Sequence, residues 1–357
     1  MTLLDINGLK TYYRADNGWV RATDDVSLSI DRGETVGLVG ESGSGKTTLA
    51  KSIIRLLSDN AEIVDGSINF DGTEVTELSD KELRKQIRWS EISMIPQNAM
   101  NGFDPVYTVG QQIVQVIRHH EDGTSKKEAR ERARSLFDEL GIEPDRVDDY
   151  PHQFSGGMAQ RAMIALALAL SPSLVLADEP TTALDVVIQD RILDTIKEMQ
   201  EELNSAMIMI THDMSVVSET CDRIAVVYGG RIVEIADTET IITNPRHPYT
   251  LGLRNAFPDI NDDDQELISI PGTPPELVDP GEGCRFAPRC PFAEQECWEE
   301  TPEAESYGDG HAVECHRADE IDHLQEEAGK KETWTEQDLG RPEDSQSDQP
   351  EEVMLDD

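Results

Sequence analysis

The segment GESGSGKT, residues 40–47, matches the pattern G-x-x-x-x-G-K-[ST] and joins a strand-like stretch, ETVGLVG, to a helical stretch, KTTLAKSIIRLL. Such a loop turns its backbone N–H groups toward a polyphosphate. We expect Lys46 to reach the β- and γ-phosphates and Thr47 to offer its hydroxyl to Mg²⁺. A plain glycine-rich turn is the alternative, and the strand before the loop and the helix after it argue against that. The expected phosphate-loop contacts are Gly40, Glu41, Ser42, Gly43, Ser44, Gly45, Lys46, Thr47 and Thr48.

A second informative segment is LVLADEP, residues 174–180. Its apolar run is typical of a buried strand and places Asp178 at the carboxyl end, the edge where open α/β sheets bind ligands. We expect Asp178 to hold Mg²⁺, commonly through water, and Glu179 to polarise an attacking water. An isolated Asp-Glu pair in so acidic a chain is usually an exposed turn. The strand before the pair and the phosphate loop upstream favour the functional interpretation.

A third segment, SGGMAQR at residues 155–161, opens an apolar helix just ahead of that strand. Free N–H groups and the positive end of the helix dipole make a serine followed by two glycines a second anion site. An ordinary N-cap with flexible glycines is the alternative. Two phosphate sites far apart in one chain suggest that the second serves the nucleotide of a partner subunit.

Hydrophobic periodicity predicts the fold class. Residues 3–40 alternate apolar and polar residues between Gly and Asp turns, which is typical of β-strands. Helical patterns cover 46–57, 79–88 and 108–140, and strands then alternate with helices. This alternation indicates an α/β fold with a mostly parallel sheet.

The sequence changes character after residue 243. Residues 244–317 are rich in proline and loop-like, which indicates a small appended module. Residues 318–357 are charged and poor in apolar side chains, so we expect an acidic, disordered tail.

The formal net charge of −41 argues against a nucleic-acid partner, because phosphate binding needs a basic surface. Residues 319–357 hold fifteen acidic and three basic residues, so an acidic tail accounts for −12 and leaves −29 for the rest. A halophile's proteome is the second interpretation, since about 1 M salt shortens the Debye length to about 3 Å and screens self-repulsion. Arginine also outnumbers lysine by 21 to 10. We therefore expect a halophilic archaeal source.

The N-terminal sequence lacks the basic and apolar regions of a signal peptide. The longest apolar stretch, residues 162–177, is interrupted by Ser171, Pro172 and Ser173, so it predicts a buried helix and strand rather than a membrane span. We expect a cytosolic chain, in which disulfides are disfavoured.

Together the three segments resemble the ATP-binding subunits of ABC transporters. The segments NPRHPYT, IPGTPPEL and GCRFAPRCPFA further resemble the dipeptide/oligopeptide importers, a branch that also includes nickel importers. The resemblance implies a P-loop ABC-ATPase core at 1–243, with a RecA-like parallel sheet, an antiparallel β subdomain and a helical subdomain at about 98–165. It implies a peptide-importer-type C-terminal extension with a cysteine cluster at 244–317.

The resemblance also implies roles for single residues. Tyr13 would stack on adenine, with Tyr12 as the alternative. Gln97, in MIPQNAM, would touch Mg²⁺ or the lytic water and face the membrane subunits. His212, in MITHD, would contact the γ-phosphate, although a lone histidine after a strand is usually structural; Asp185, in TTALD, would lie across a dimer interface. The expected catalytic set is therefore Lys46, Gln97, Glu179 and His212, and the expected Mg²⁺ contacts are Thr47, Gln97 and Asp178.

In the signature segment, the resemblance implies that Ser155, Gly156 and Gly157 clamp the γ-phosphate bound to the opposite subunit. The segment reads FSGGM where the wider superfamily has LSGGQ. Phe154 keeps the apolar anchor, and the peptide-importer branch uses methionine at the position of Met158, so we expect an active site.

The implied mechanism has two ATP-binding subunits closing around two ATP molecules while two transmembrane permease subunits rearrange. A heterodimer of ATP-binding subunits and an extracytoplasmic substrate-binding protein, acting indirectly, complete the expected assembly. The chain would lie on the cytoplasmic side of the membrane and hydrolyse ATP to power import of di- or oligopeptides. The alternatives are a nickel or oligosaccharide importer, a soluble ABC ATPase outside transport, and a regulatory protein with a dead site, against which the intact catalytic residues argue.

Four cysteines follow the spacing Cys284-x5-Cys290-x6-Cys297-x17-Cys315, and a fifth, Cys221, is isolated and expected in the core. Disulfides need an oxidising compartment, and structural zinc usually shows tight C-x2-C knuckles, which are missing. Wider spacing suits a [4Fe–4S] cluster, and the resemblance implies the same. Zinc and free thiols remain the alternatives, with His311 and His316 as reserve ligands.

Overall fold

The computed structural model describes residues 1–97, 99–181, 186–256, 268–308 and 310–335. Within these ranges the chain forms the strands β1 (Thr2–Ala15), β2 (Gly18–Asp31), β3 (Thr35–Val39), β4 (Ala61–Phe70), β5 (Thr73–Glu74), β6 (Ile92–Ile95), β7 (Leu174–Asp178), β8 (Ala206–Thr211), β9 (Arg223–Tyr228), β10 (Arg231–Asp237), β11 (Glu305–Ser306) and β12 (Ala312–Val313). The α-helices are α1 (Lys46–Ile53), α2 (Asp80–Gln86), α3 (Ala99–Gly102), α4 (Val109–His120), α5 (Lys126–Glu139), α6 (Gly156–Leu168), α7 (Val186–Leu203), α8 (Met214–Thr220), α9 (Thr238–Thr243), α10 (Pro248–Asn255), α11 (Gln295–Glu299) and α12 (Ile321–Ala328). Short 3₁₀ turns cover Val75–Glu77, Pro144–Asp148, Pro151–Gln153, Ala287–Arg289, Ala318–Glu320 and Lys331–Trp334.

The strands form two sheets. The smaller sheet is antiparallel with the order β2-β1-β4-β5. The larger has the order β11-β12-β10-β9-β3-β8-β7-β6, parallel from β9 to β6 and antiparallel from β9 to β11. The expected α/β class, with its parallel sheet and its antiparallel β part, is confirmed.

The centre of the larger sheet is formed by β3, β8 and β7, in which every residue is buried. Burial on both faces explains their continuous apolar sequences. Because these neighbouring strands are parallel, their carboxyl ends meet at one edge of the sheet. The chain leaves that edge at Gly40, Glu179 and His212, so one edge gathers residues from three distant segments.

Two helical stretches that the sequence predicts, 46–57 and 108–140, are ended or interrupted in the structure by capping residues and by residues with positive φ. Ser125 caps α5 with a capping box to Glu128, so the pattern at 108–140 forms two helices, α4 and α5, with Gly123 at φ +92° between them. Helix α1 ends at Ile53 rather than at residue 57, close to Arg55 at φ +49°. None of the helices in these ranges has the length and apolar character needed to cross a bilayer.

The chain after residue 268 continues the larger sheet, since β12 pairs with β10 and β11 pairs with β12. A fully buried carboxylate, Glu234 of β10, organises this region. It accepts hydrogen bonds from the backbone N–H groups of Arg246 (2.7 Å) and His247 (3.0 Å), and the His311 Nε2 atom lies 2.8 Å from it. The C-terminal residues are thus joined to the core sheet through backbone pairing and a buried polar network.

Residues 318–335 differ from the expected disorder, because they form α12 and a 3₁₀ turn that pack on α10. The Trp334 side chain is only 4% exposed, and its Nε1–H donates to the Ala328 carbonyl at 2.9 Å. Asn255 of α10 donates to the same carbonyl at 2.8 Å. The expectation of disorder rested on the average composition of residues 318–357. That average does not show the few apolar residues, such as Leu324, whose burial anchors this segment. The rest of the expected tail lies outside the described residues.

Replacing Trp334 by alanine is expected to lower the free energy of unfolding by about 3–5 kcal/mol, the usual cost of deleting a buried aromatic side chain. Urea unfolding in molar KCl measures this loss. Glu332→Ala, an exposed neighbour, is the control and should change the midpoint little. Equal stability of the Trp334→Ala and wild-type proteins would show that this segment is not part of the folded core.

Candidate functional site

The phosphate loop, defined as Gly40–Thr48, runs from the end of β3 into the first turn of α1. It packs against β9 on one side and β2 on the other. A Cβ atom on Gly40 would lie 2.1 Å from the Val227 carbonyl oxygen, and one on Gly45 would lie 2.0 Å from that of Ala22. Gly45 also has φ +106°, a left-handed conformation that other residues rarely adopt. Both positions therefore require glycine, which is the physical reason for the motif at these two residues.

The Lys46 side chain is buried inside the phosphate loop. Its ammonium group donates to the carbonyl oxygens of Gly40 and Glu41, both at 2.7 Å, and to the Ser44 hydroxyl at 3.2 Å. Burial lowers the pKa of Lys46 to about 8, although nearby carboxylates oppose this shift. The loop thus holds a cation at its centre, as phosphate binding requires.

The expected Mg²⁺ residues Thr47 and Asp178 are in contact. The Thr47 hydroxyl, in the first turn of α1, donates to Asp178 Oδ1 at 3.1 Å. Asp178 ends β7 and is 4% exposed; burial raises its pKa above the usual value, while the Thr47 hydrogen bond opposes the shift. Adjacent hydroxyl and carboxylate oxygens are the hard donors that Mg²⁺ prefers, so these residues fit the ion.

The Glu179 carboxylate lies between two other predicted catalytic residues. Gln97 Nε2 donates to Glu179 Oε2 at 2.6 Å, and His212 Nδ1 lies 3.2 Å from Glu179 Oε1. The three side chains follow β6, β7 and β8, whose carboxyl ends meet at the same edge. Glu179 has φ +47°, a conformation that costs a non-glycine residue about 1–3 kcal/mol and occurs mostly at functional sites. The structure thus brings Gln97, Glu179 and His212 together.

The two candidate adenine-stacking residues have different surroundings. The Tyr13 hydroxyl lies 3.3 Å from Thr48 Oγ1, beside the first turn of α1. The Tyr12 hydroxyl instead donates to Asp24 Oδ1 at 2.5 Å, and burial together with that carboxylate raises the pKa of Tyr12 to about 12. The geometry favours Tyr13, whose role stays a prediction.

The signature residues do not join this site within one chain. Ser155 is the N-cap of α6, and its hydroxyl accepts a hydrogen bond from the Met158 N–H at 3.4 Å. Ser155 and Gly156 are exposed, whereas Phe154 is buried as predicted. Within the part of the chain that the structure describes, no hydrogen bond or ion pair connects residues 155–157 with the phosphate loop. Asp185 lies outside the described residues.

Sequence reasoning missed contacts between C-terminal residues and the phosphate loop. The Arg289 guanidinium donates to both oxygens of Glu41, at 2.5 and 3.0 Å, and the Glu41 N–H donates to the Tyr249 hydroxyl at 2.9 Å. Arg285 similarly binds the Asp24 carboxylate. Both arginines stand in the sequence CRFAPRC. No local sequence pattern, however, could pair Arg289 with Glu41, which lies 248 residues earlier in the chain.

The four cysteines of the C-terminal segment line one apolar pocket, together with Phe286 and Phe292. All are free thiols. Burial raises the pKa of Cys284 to about 11 and that of Cys315 to about 12, and neighbouring thiols add to both shifts. In the described ranges no group of three or more His, Cys, Asp or Glu side chains has the arrangement of a metal-ion site. The described side chains thus show no preformed site for zinc or for an iron–sulfur cluster.

The arrangement at the sheet edge suits phosphoryl transfer to water. The phosphate loop offers backbone N–H groups and the Lys46 cation to a polyphosphate, which lowers the cost of charge developing on the transferred group. Glu179 can accept a proton from a water that Gln97 and His212 help to orient. Bound at Thr47 and Asp178, Mg²⁺ would neutralise phosphate oxygens.

Comparisons with known proteins agree with this chemistry. Residues 23–182 match the family model for ABC transporters, and residues 233–297 match the model described as oligopeptide/dipeptide transporter, C-terminal region. The chain is similar to the dipeptide transport ATP-binding protein DppD of Escherichia coli K12, with 42% identity over 88% of this chain and 97% of that protein. It is 43% identical to the oligopeptide transport ATP-binding protein AppD of Bacillus subtilis, over 88% of this chain and 96% of that one.

Solved structures support the fold. The dimeric structure of a post-hydrolysis state of the ATP-binding cassette MJ0796, bound to ADP and Pi, is 29% identical with a TM-score of 0.61 and covers 66% of this chain and 99% of that chain. CbiO1 of Clostridium perfringens, part of the ABC transporter complex cbiONQ, is 26% identical with a TM-score of 0.59 and covers 71% and 95% of the two chains. The chain therefore belongs to the dipeptide and oligopeptide transport ATP-binding proteins of the ABC transporter family, and it is an ATPase.

Proposed function

We propose that ATP hydrolysis by this chain powers the import of di- or oligopeptides through a membrane ABC transporter. The observation that carries the proposal is the similarity beyond the ATPase core. Residues 233–297 match the C-terminal region of oligopeptide/dipeptide transporters, and the relatives named for dipeptide and oligopeptide transport align over 88% of the chain. A nickel or oligosaccharide importer with the same ATPase role is the alternative substrate assignment.

Uptake by cells tests this proposal. Deleting the gene is expected to abolish uptake of a labelled dipeptide or pentapeptide, and restoring the wild-type chain should recover it. Restoration with Glu179→Gln is the matched control, since it supplies a folded chain whose hydrolysis we expect to be blocked. Loss of ⁶³Ni²⁺ or labelled oligosaccharide uptake, with peptide uptake unchanged, would overturn the peptide assignment.

We further propose that the chain works with a second ATP-binding subunit, two permease subunits and, indirectly, an extracytoplasmic substrate-binding protein. Support for the second ATP-binding subunit comes from Ser155–Gly157, at a helix N-terminus that has no hydrogen bond or ion pair with its own phosphate loop in the described ranges. Each subunit would supply these residues to the γ-phosphate bound by the other, as the dimeric form of the solved cassette suggests. A heterodimer is the arrangement that we propose.

A groove beside Gln97 is the surface that we assign to a permease subunit. Its volume is about 770 Å³, and its walls include Trp89, Met94 of β6, Val116 of α4 and Met163 of α6. The half-exposed Tyr107 adds an aromatic side chain at this groove. A permease segment bound there would contact Pro96, the residue that precedes Gln97. The chain would then sit peripherally on the cytoplasmic face of the membrane.

We propose that the pocket of Cys284, Cys290, Cys297 and Cys315 forms the core of a cysteine-bearing extension that holds a [4Fe–4S] cluster. Support comes from four cysteines around one apolar pocket, since such clusters are held by four thiolates. A bound metal also favours the thiolate form, which would offset the raised pKa values of the buried thiols. Zinc is the alternative occupant.

Metal analysis tests the cluster on full-length chain purified without oxygen in molar KCl. We expect about four iron and four sulfide per chain and their loss in Cys290→Ser, whereas Cys221→Ser, the buried cysteine outside the pocket, should keep them. One zinc without iron would make the pocket a structural zinc site. Neither metal, with all five cysteines of the unfolded chain titrating as free thiols, would contradict the proposal.

We also propose that the chain functions at the high internal salt of a halophilic archaeon. The net charge of −41 and the excess of arginine over lysine support this. Raising KCl from about 0.15 M to above 1 M shortens the Debye length from about 8 Å to about 3 Å, so the unfolding temperature should rise. An unfolding temperature that falls or stays constant with KCl would contradict a halophilic chain.

A further inference from the structure

We propose that Arg289 and Tyr249 are positioning residues for ATP binding, which act on the phosphate loop through Glu41. These two residues are called the C-terminal clamp below. They lie outside the ATPase motifs, and Arg289 lies within residues 284–315, the segment that carries the four clustered cysteines. The inference rests on the ATPase activity and does not depend on which substrate is transported.

The clamp holds Glu41 at both its side chain and its backbone. Arg289 Nη1 and Nη2 donate to Glu41 Oε2 and Oε1 at 2.5 and 3.0 Å, which is the paired geometry that arginine and carboxylate favour. The Tyr249 hydroxyl accepts from the Glu41 backbone N–H at 2.9 Å. The Glu41 carbonyl in turn accepts from Lys46 Nζ at 2.7 Å. One loop residue therefore links the clamp to the cation that meets the phosphates.

The clamp residues are themselves rigidly held. The Arg289 side chain is 5% exposed, its Nε donates to the Pro271 carbonyl at 2.7 Å, and its guanidinium lies over the Tyr228 ring at 5.8 Å. Tyr249 is completely buried, with its ring 4.5 Å from Tyr228 and 5.4 Å from Phe286. Side chains so enclosed have few alternative rotamers, so they can fix the position of Glu41.

The phosphate loop needs such support because its own backbone is permissive. Gly40, Gly43 and Gly45 all have positive φ, and glycine loses more conformational freedom on ordering than any other residue. A loop held in its binding shape avoids part of that ordering cost when the nucleotide binds. The clamp should therefore strengthen ATP binding more than it speeds the chemical step.

A structural role or an inhibitory role for the clamp would give different kinetics. A purely structural pair would attach the C-terminal segment, and its loss would lower stability while leaving the KM for ATP unchanged. A pair that restrains Glu41 against nucleotide binding would weaken affinity, and its loss would lower the KM. The positioning role alone predicts a raised KM with kcat nearly constant.

The test measures nucleotide binding and ATPase kinetics of the full chain with Arg289→Gln and Glu41→Gln, singly and together. We expect each single variant to raise the KM and Kd for MgATP about 5- to 30-fold with kcat within about threefold. The double variant should be no worse than either single one, because both remove the same interaction. Tyr249→Phe, which removes only the hydroxyl, should give a smaller rise.

Arg317→Gln is the matched control. This arginine lies in the same segment and contacts Glu294, Glu320 and the Phe292 carbonyl, all in the C-terminal segment. Its loss should leave the KM unchanged. Equal KM values for Arg289→Gln and Arg317→Gln, or a KM lowered by Arg289→Gln, would overturn the proposal. Should Arg289→Gln fail to fold, Arg289→Lys and Tyr249→Phe decide the question by the same KM criterion, with wild-type turnover confirming that the ATPase assay works.

Discussion

Glu179→Gln is expected to bind MgATP with nearly wild-type affinity and to hydrolyse it about 10²- to 10⁴-fold more slowly, the usual contribution of a positioned general base. The amide keeps the size of the side chain, and its oxygen can still accept the Gln97 hydrogen bond of 2.6 Å. It cannot accept a proton from the attacking water at neutral pH. The binding geometry should therefore survive while the chemical step slows.

Single-turnover hydrolysis together with a fluorescent-nucleotide titration separates binding from chemistry. Glu219→Gln makes the same chemical change at an exposed residue of α8 and should keep wild-type turnover. Turnover of Glu179→Gln within about threefold of wild type would remove Glu179 from the role of base. Loss of ATP binding would instead mean that Glu179 holds the site together, next to Lys46 and Asp178.

Lys46→Ala is expected to weaken MgATP binding by at least about 30-fold, since truncating one partner of a buried charge pair costs about 2–5 kcal/mol. The ammonium group is buried in the loop and is the cation that a polyphosphate would meet there. Isothermal titration measures the loss, with Lys85→Ala, an exposed lysine of α2, as the control. Unchanged affinity in Lys46→Ala would contradict the phosphate role.

The pH dependence of MgATP binding tests whether the charged form of Lys46 is the form that binds the nucleotide. The pKa of Lys46 is about 8 in the free chain, so its charged form predominates below pH 8 and is lost above it. ATP favours the charged form, and affinity should therefore fall between pH 7.5 and 9.5, approaching tenfold per pH unit. In Lys46→Arg the guanidinium stays charged over this range, so any binding that remains should lose that dependence. A wild-type affinity independent of pH would show that Lys46 is not the titrating group.

The parts of the molecule that local patterns describe were predicted well. The loop between β3 and α1, the buried strand that ends at Asp178 and the helix that begins after Ser155 lie where the sequence indicates. Hydrogen bonding of helices and alternation of strands act over a few residues, so their patterns are visible in a short window. Helix ends were less accurate, because the capping box at Ser125 and Glu128 competed with a longer apolar pattern.

Local backbone chemistry was enough to specify the α/β class and the order of the phosphate-binding segments, because glycine loops and buried strands accept few residue types. Three features became visible only in three dimensions: the pairing of Glu41 with Arg289, the pocket shared by four cysteines, and the anchoring of part of the acidic tail by Trp334. These contacts join residues far apart in the chain, and their partners follow from packing, which no local periodicity encodes.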